Sequence, residues 1–239
     1  MIPSRVLCFE LFGDYAQFRK FFANMSPLSF SIPPRTVLTG IIGAILGIDK
    51  NCNPEYFDYD NSFIALKLIS PVKKTKIVCN YIKTSSSFSQ VFNYKEHKPT
   101  NIEFLKDVRY RVYFSCINKA IYDELKSLLS THCSIYTISL GISGCLANFE
   151  YIGEFELLPI EIESRQIINT VIPFDSIKEI FVERTLNLQK VVIPALMNNQ
   201  REVTKYEEII FEQNGNPIDA ILKDLSYFIK ELSDTIHEF

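Results

Sequence analysis

Residues 108–114 read VRYRVYF, with Val108, Tyr110, Val112 and Phe114 on one side of the alternation and Arg109, Arg111 and Tyr113 on the other. A period of two marks a strand, because successive side chains of an extended chain point to opposite faces. Such a strand belongs in a sheet whose apolar face is covered, so the segment predicts a sheet with core on one face and not on the other.

The flanking segments supply the partners. Residues 5–12 (RVLCFELF) have strand composition and stop at the turn pair Gly13-Asp14. Pro33-Pro34-Arg35-Thr36 opens a helix over residues 37–46, with the prolines placed before it and Thr36 as its cap. Residues 63–70 and 72–83 are strand-like runs around Pro71. Asn118 caps a second helix whose Ile121, Leu125, Leu128 and Leu129 form one stripe, and residues 134–140 and 145–152 return to strand. The order strand, helix, strand, strand, helix, strand predicts an α+β, ferredoxin-like domain over residues 1–150, the arrangement that RNA-recognition modules use. Residues 84–107 interrupt it with a serine cluster and no clean period, and they read as a long excursion of the kind that is usually functional or disordered.

Residues 151–239 predict a smaller β-rich domain, with strands over 154–162, 179–186 and 203–211. It ends in a helix after Asn214-Gly215-Asn216-Pro217, on the stripe Ile218, Ile221, Leu222, Leu225, Phe228, Ile229, Leu232 and Ile236. With 239 residues, 47 % hydrophobic and 22 % charged, the chain is long enough for a sizeable core without a disulfide or metal staple. Its longest apolar run, residues 37–48, has 12 residues, whereas a spanning helix needs about 20. No membrane segment or signal peptide is expected, and the reading is cytoplasmic. The six cysteines, at 8, 52, 79, 116, 133 and 145, are never two or three apart, so they read as reduced thiols, and no metal or other cofactor is expected.

Charge divides the chain. Residues 1–149 hold 17 Lys and Arg against 11 Asp and Glu, a net of +6, while residues 150–239 hold 8 against 17, a net of -9. Residues 71–111 alone reach +6, through Lys73, Lys74, Lys76, Lys83, Lys95, Lys98, Lys106, Arg109 and Arg111 against Glu96, Glu103 and Asp107. A local excess of this kind suits a phosphate backbone, or it is a solvated lysine-rich face. Phe88, Phe92, Tyr94 and Phe104 interleave with these cations as single-stranded RNA binding requires, though they equally suit rings that hold the excursion on the core. The acidic part would then face protein, with Glu202, Glu207, Glu208 and Glu212 as a ridge or simply a solvated strand face.

Gly40, Gly43 and Gly47 share one face of the first helix, so something approaches that face closely: a sheet, a helix, nucleic acid or another subunit. The free N–H groups at the start of this helix make an anion site beside Arg35, and Arg19 and Lys20 would complete it if residues 15–22 fold back over the helix start. Signals for catalysis are thin. His97, near Tyr94, Lys95 and Lys98, has company suited to proton exchange with a ribose hydroxyl, or is an exposed loop histidine.

Three segments, FELFGDYAQFRKFF at 9–22, FSIPPRTVLTGIIGAILGI at 30–48 and SLGISGCLANFEYIG at 139–153, resemble a CRISPR-associated protein of the Cas five family. Weaker similarity over residues 172–201 and the tail, with VIPALMNNQREV, resembles the subtype I-B branch. The resemblance implies an RNA-recognition-like domain with a protruding thumb, here residues 84–107, that binds the 5′ handle of CRISPR RNA and caps a Cascade filament. Its matching positions are Gly13, Ala16, Phe18, Arg19, Pro34, Arg35, Thr36, Gly40, Gly43 and Gly47. The implied RNA contacts are Arg19, Lys20, Arg35, Thr36, Lys83, Phe88, Phe92, Tyr94, Lys95, Lys98, Arg109 and Arg111. The implied partners are CRISPR RNA, the backbone and large subunits, and target DNA indirectly. One branch of the family, in subtype I-C, cleaves precursor CRISPR RNA, which makes a metal-independent endoribonuclease using Tyr94, Lys95 and His97 the alternative reading.

Overall fold

The computed structural model describes residues 3–22, 27–82, 97–182 and 185–239. Its centre is β1 (Arg5–Ala16), whose Leu7, Phe9 and Leu11 face one way and Val6, Cys8 and Glu10 the other, all at most 4 % exposed. A strand covered on both faces carries an almost continuous apolar run, which is why RVLCFELF alternates poorly.

There follow α1 (Arg35–Leu46), the single turn α2 (Asn53–Tyr56), β2 (Ser62–Leu68), β3 (Lys74–Ile82), β4 (His97–Cys116), α3 (Lys119–Ser130) and β5 (Asn148–Glu156). The sheet runs β2-β4-β1-β5, antiparallel at each step, with β3 paired to the first half of β4. In this order β1 and β2 are parallel and one strand apart, joined through α1, and β4 and β5 are related in the same way through α3. Two split β-α-β units therefore interleave. Leu38, Ile41 and Ile45 of α1 and Leu125 and Leu129 of α3 bury the Leu7, Phe9 and Leu11 face. Asn118 caps α3 as expected, its Oδ1 accepting from the N–H groups of Ala120 and Ile121.

Apart from a 3-10 turn at Phe174–Ser176, the remaining described elements are strands: β6 (Leu158–Pro159), β7 (Arg165–Ile168), β8 (Ile172–Pro173), β9 (Ile177–Ile180), β10 (Leu188–Met197), β11 (Val203–Glu212), β12 (Ile218–Leu222), β13 (Tyr227–Ile229) and β14 (Asp234–Ile236). They form the small sheets β10-β11-β8, β7-β12-β9 and β14-β13-β6.

Several expectations need correcting. The C-terminal helix is absent, and β12, β13 and β14 take its place. Ile218, Ala220 and Leu222 are buried while Asp219 and Ile221 are less so, a period of two that β7 and β9 stabilise from either side. Over so short a stretch the apolar positions fit both periods, and tertiary pairing decides. Gly215, at φ +81°, makes a turn there instead of leading into a cap.

The second face of the main sheet is covered too. Tyr227, Ile229 and Ile236 pack with Val6, Cys8, Phe63, Ala65 and Tyr113 in a second core. Thr36 does not cap α1, because Pro34 holds that position without a side-chain bond and Thr36 lies inside the first turn. Residues 134–140 contribute an isolated bridge, Ser139 to Leu146, in place of a strand. The last strand of the main sheet runs to Glu156, past the boundary expected at 150. Residues 97–107 are not excursion but the start of β4, in register with β3 from Lys74–Leu105 to Ile82–His97. Their period is obscured by Leu105, which is buried out of step, and by Asp107, which takes φ +52°.

No described helix is long and apolar enough to cross a membrane.

Candidate nucleic-acid interface

The three motif segments come together in the fold. A side chain at Gly13 would meet the Leu146 carbonyl at 2.8 Å, and one at Gly141 would meet the Gln17 carbonyl at 2.0 Å. Gln17 N–H donates to the Leu140 carbonyl at 3.0 Å. Ala16 and Phe18 are buried on this junction, and Phe18 N–H donates to Ser29 Oγ. On α1, Ile135 and Tyr136 donate their N–H groups to the carbonyls of Ile45 and Ala44. The close approach expected at the glycine face is real for Gly43, where a Cβ would stand 2.2 Å from Asn53 Oδ1, and for Gly47, which meets Ile135. Among the described residues nothing lies within 4 Å of a Cβ built on Gly40.

The β3–β4 hairpin is an arm. Its root is buried through Ile102, Phe104 and Leu105, while farther out Lys76, Val78, Tyr81, His97 and Lys98 are exposed. Lys73, Lys74, Lys76, Lys98 and Lys106 stand against Glu103 and Asp107 on it. Residues 17–22 and 27–30 pack at the root, where Glu103 N–H donates to the Pro27 carbonyl and Glu103 Oε1 accepts from Ser29 N–H and Lys74 Nζ. Arg19 is exposed and bridges to Ser29. Lys20 sits over the rings of Phe22 and Phe30, and burial together with neighbouring Lys74 lowers its pKa. Arg19 and Lys20 thus join the arm, and their contacts are there rather than at Arg35.

Arg35 is fully buried. Its Nη1 donates to the Phe239 carbonyl and its Nη2 to the carbonyls of Asp58 and Ser62 and to Ser62 Oγ, at 3.0–3.3 Å. Its guanidinium lies 4.1 Å from the Tyr59 ring centre and its Nη1 lies 3.8 Å from Glu238. Arg35 therefore holds the start of α1, β2 and the end of the chain together, with its donors turned inward. Arg109 and Arg111 are also engaged. Arg109 pairs with Glu10 and, at 2.7 Å, with Glu150; Arg111 pairs with Glu10 at 2.8 Å and with Asp234 at 3.2 Å. Tyr113 and Lys67 also donate to Asp234. Burial opposes ionisation of Glu10, but the two guanidiniums outweigh it and hold its carboxyl below the usual range. The expected acidic ridge is partly internal too. Glu212 is buried and accepts from the N–H groups of Asn187, Asn214 and Asn216, and Glu207 accepts from Tyr59 OH.

His97 and Lys98 begin β4, exposed. Lys83, Phe88, Phe92, Tyr94 and Lys95 lie outside the described residues. The structure adds an exposed aromatic group that sequence reasoning does not single out: Phe21 lies 5.2 Å from Phe22 and 5.1 Å from Tyr206, ring centre to ring centre. Its signal in the sequence is the string FRKFF, two aromatics directly after two cations.

Fold and site together define an α+β protein in which a lysine-rich hairpin arm extends from an antiparallel sheet backed by two helices. Residues 6–166 match the family model described as CRISPR-associated protein (Cas_Cas5), and the chain belongs to that family. No curated protein sequence gives a significant match. Among solved structures, a CRISPR protein from Archaeoglobus fulgidus is similar at TM-score 0.57 and 10 % identity, over 97 % of this chain and 98 % of that one. A chain of a CRISPR RNA-guided surveillance complex is similar at TM-score 0.56 and 11 % identity, over 90 % and 91 %.

Proposed function

We propose that this chain is a non-catalytic subunit of a type I, I-B-like CRISPR RNA-guided complex, binding the 5′ handle of CRISPR RNA and capping one end of the backbone filament. The observation that carries this reading is the basic arm: its described lysines are exposed, and Arg19 and Lys20 extend the same charge at its root. We read the β5-β1-β4-β2 sheet as ferredoxin-like and the arm as the stem of the thumb. RNA-recognition modules of this order usually bind on the open sheet face. Here the C-terminal strands cover that face and Glu10 and Asp234 engage its arginines, so the guide runs along the arm and the helix side instead. Phosphates repel carboxylates, so the acidic second half turns to protein, with the large subunit as its partner and target DNA reached only through the guide.

The test is repeat RNA incubated with the purified protein in EDTA. Retarded, intact RNA is the expected result. Discrete fragments would support the metal-independent endoribonuclease and direct attention to His97, and absence of binding at low salt would overturn the reading.

A further inference from the structure

Three exposed rings touch one another where the root of the arm meets β11. Phe21 is 56 % exposed, Phe22 62 % and Tyr206 45 %. Phe21 stands between the other two, its ring centre 5.2 Å from that of Phe22 at 88° and 5.1 Å from that of Tyr206 at 54°. A single exposed aromatic residue needs no explanation. Three in contact, drawn from segments far apart in sequence, form a contiguous apolar patch of the kind that marks a binding surface. The patch is also held in place. Lys20 N–H donates to the Leu28 carbonyl at 2.9 Å, Phe30 N–H donates to the Phe18 carbonyl at 2.8 Å, and Arg19 bridges to Ser29. Residues 18–20 are therefore pinned immediately before the two phenylalanines.

The charges beside the rings select what covers them. Lys20 Nζ lies 5.6 Å from the ring centre of Phe22 and 5.7 Å from that of Phe30, where it is partly buried and repelled by Lys74. Among the described residues neither Arg19 nor Lys20 forms an ion pair. The carboxylate that acts on Lys20, Glu103, is already taken by Lys74 at 3.1 Å and by Ser29 N–H. On the β11 side Glu207 accepts from Tyr59 OH and pairs with Lys205, and Glu208 pairs with Lys190. An aliphatic protein surface laid on the rings would strip water from Lys20 and bring it no counter-charge. An RNA strand brings what rings and cations both lack, flat apolar faces joined by phosphates. We propose that unpaired bases of the bound RNA stack on Phe21, Phe22 and Tyr206, with Arg19 and Lys20 at the adjoining phosphates. This rests on the RNA-binding reading above and adds to it a stacking platform that accepts any base, because every base has a ring face.

The chain has no tryptophan, so Phe21→Trp places a single indole in the platform, and stacking against a base quenches its emission. Repeat RNA should quench most of that emission and bind at least as tightly as it binds the wild type. Inorganic polyphosphate, a polyanion without bases, should compete with the RNA and leave the emission largely in place. Phe21→Ala/Tyr206→Ala changes only exposed side chains, so its thermal midpoint should stay where it is. Its RNA affinity should fall about tenfold or more, the effect of losing a stacked ring. The salt dependence of binding should be unchanged, since no phosphate contact is lost, in contrast to Lys73→Ala/Lys76→Ala/Lys98→Ala. A folded double variant that binds RNA as the wild type does, or a Phe21→Trp emission that RNA leaves unchanged, would overturn the platform while the RNA reading stands. So would an emission that moves with protein concentration and not with RNA, which would make the rings a contact between copies of the chain. If the wild-type protein binds no RNA at low salt, the RNA reading itself fails and the platform falls with it.

Discussion

The arginines of the main sheet and the lysines of the arm carry the same charge and lead opposite lives. Arg35 is buried against four oxygens, and Arg109 and Arg111 share Glu10, whereas Lys76 and Lys98 extend from a hairpin into solvent. The planar guanidinium, with five donors in a fixed fork, suits convergent carbonyls and carboxylates, and the flexible ammonium keeps its hydration. Net charge over residues 71–111 therefore overstates what is open to a ligand: Arg109 and Arg111 are engaged within the fold, and the free part lies on the arm.

The comparison breaks first at Arg35. Arg35→Met should cost about 3 to 5 kcal/mol in urea unfolding, because three carbonyls and a hydroxyl lose their donor and Glu238 its cation. An unchanged midpoint would show that the arginine is not the clamp described. Next, the triple variant Lys73→Ala/Lys76→Ala/Lys98→Ala should leave stability within about 0.5 kcal/mol. Its RNA affinity should fall by about 2 to 3 kcal/mol in all, and its salt dependence should become shallower by about 0.7 for each phosphate no longer neutralised. Equal salt slopes for variant and wild type would place the phosphates elsewhere.

Glu238 sharpens the account of the interior. Burial raises its carboxyl to about 7, beyond what Arg35 recovers. A carboxyl raised on folding is protonated in both states below its unfolded value, so stability is lost as pH rises from about 4.5 to 7. Glu238→Gln should therefore gain about 1 to 2 kcal/mol at pH 8 and nothing at pH 4. A gain independent of pH would contradict this. The smallest effect on the sheet arginines belongs to Arg109→Ala, a half-exposed residue whose partner Glu10 keeps Arg111, at about 1 kcal/mol or less by denaturation.

How much of this was readable follows from where the information lies. The second half of β4 and the helix α3 were legible because residues 108–114 and the stripe of Ile121, Leu125, Leu128 and Leu129 state their periods locally, and Asn118 announced its cap. The C-terminal strands were not, since the alternation of Ile218, Ala220 and Leu222 is enforced by β7 and β9 from distant sequence. The motif positions were legible as positions but not as roles: Arg35 beside a helix start reads as an anion site until Ser62, Asp58 and Phe239 are seen to claim it. Arg19 and Lys20 were legible as cations, and only the packing of residues 17–22 and 27–30 against Glu103 and Lys74 connects them to the arm. The open space at Gly40 had no sequence signal that separates it from Gly43 and Gly47.

The most direct test of the central claim is photocrosslinking of 4-thiouridine-substituted repeat RNA to the intact protein, with the adducts mapped by mass spectrometry. Adducts should concentrate in residues 15–22 and 71–107, with few beyond residue 160 apart from Tyr206. Adducts spread over the acidic sheets, or falling on Arg109 and Arg111 while sparing the arm, would contradict it.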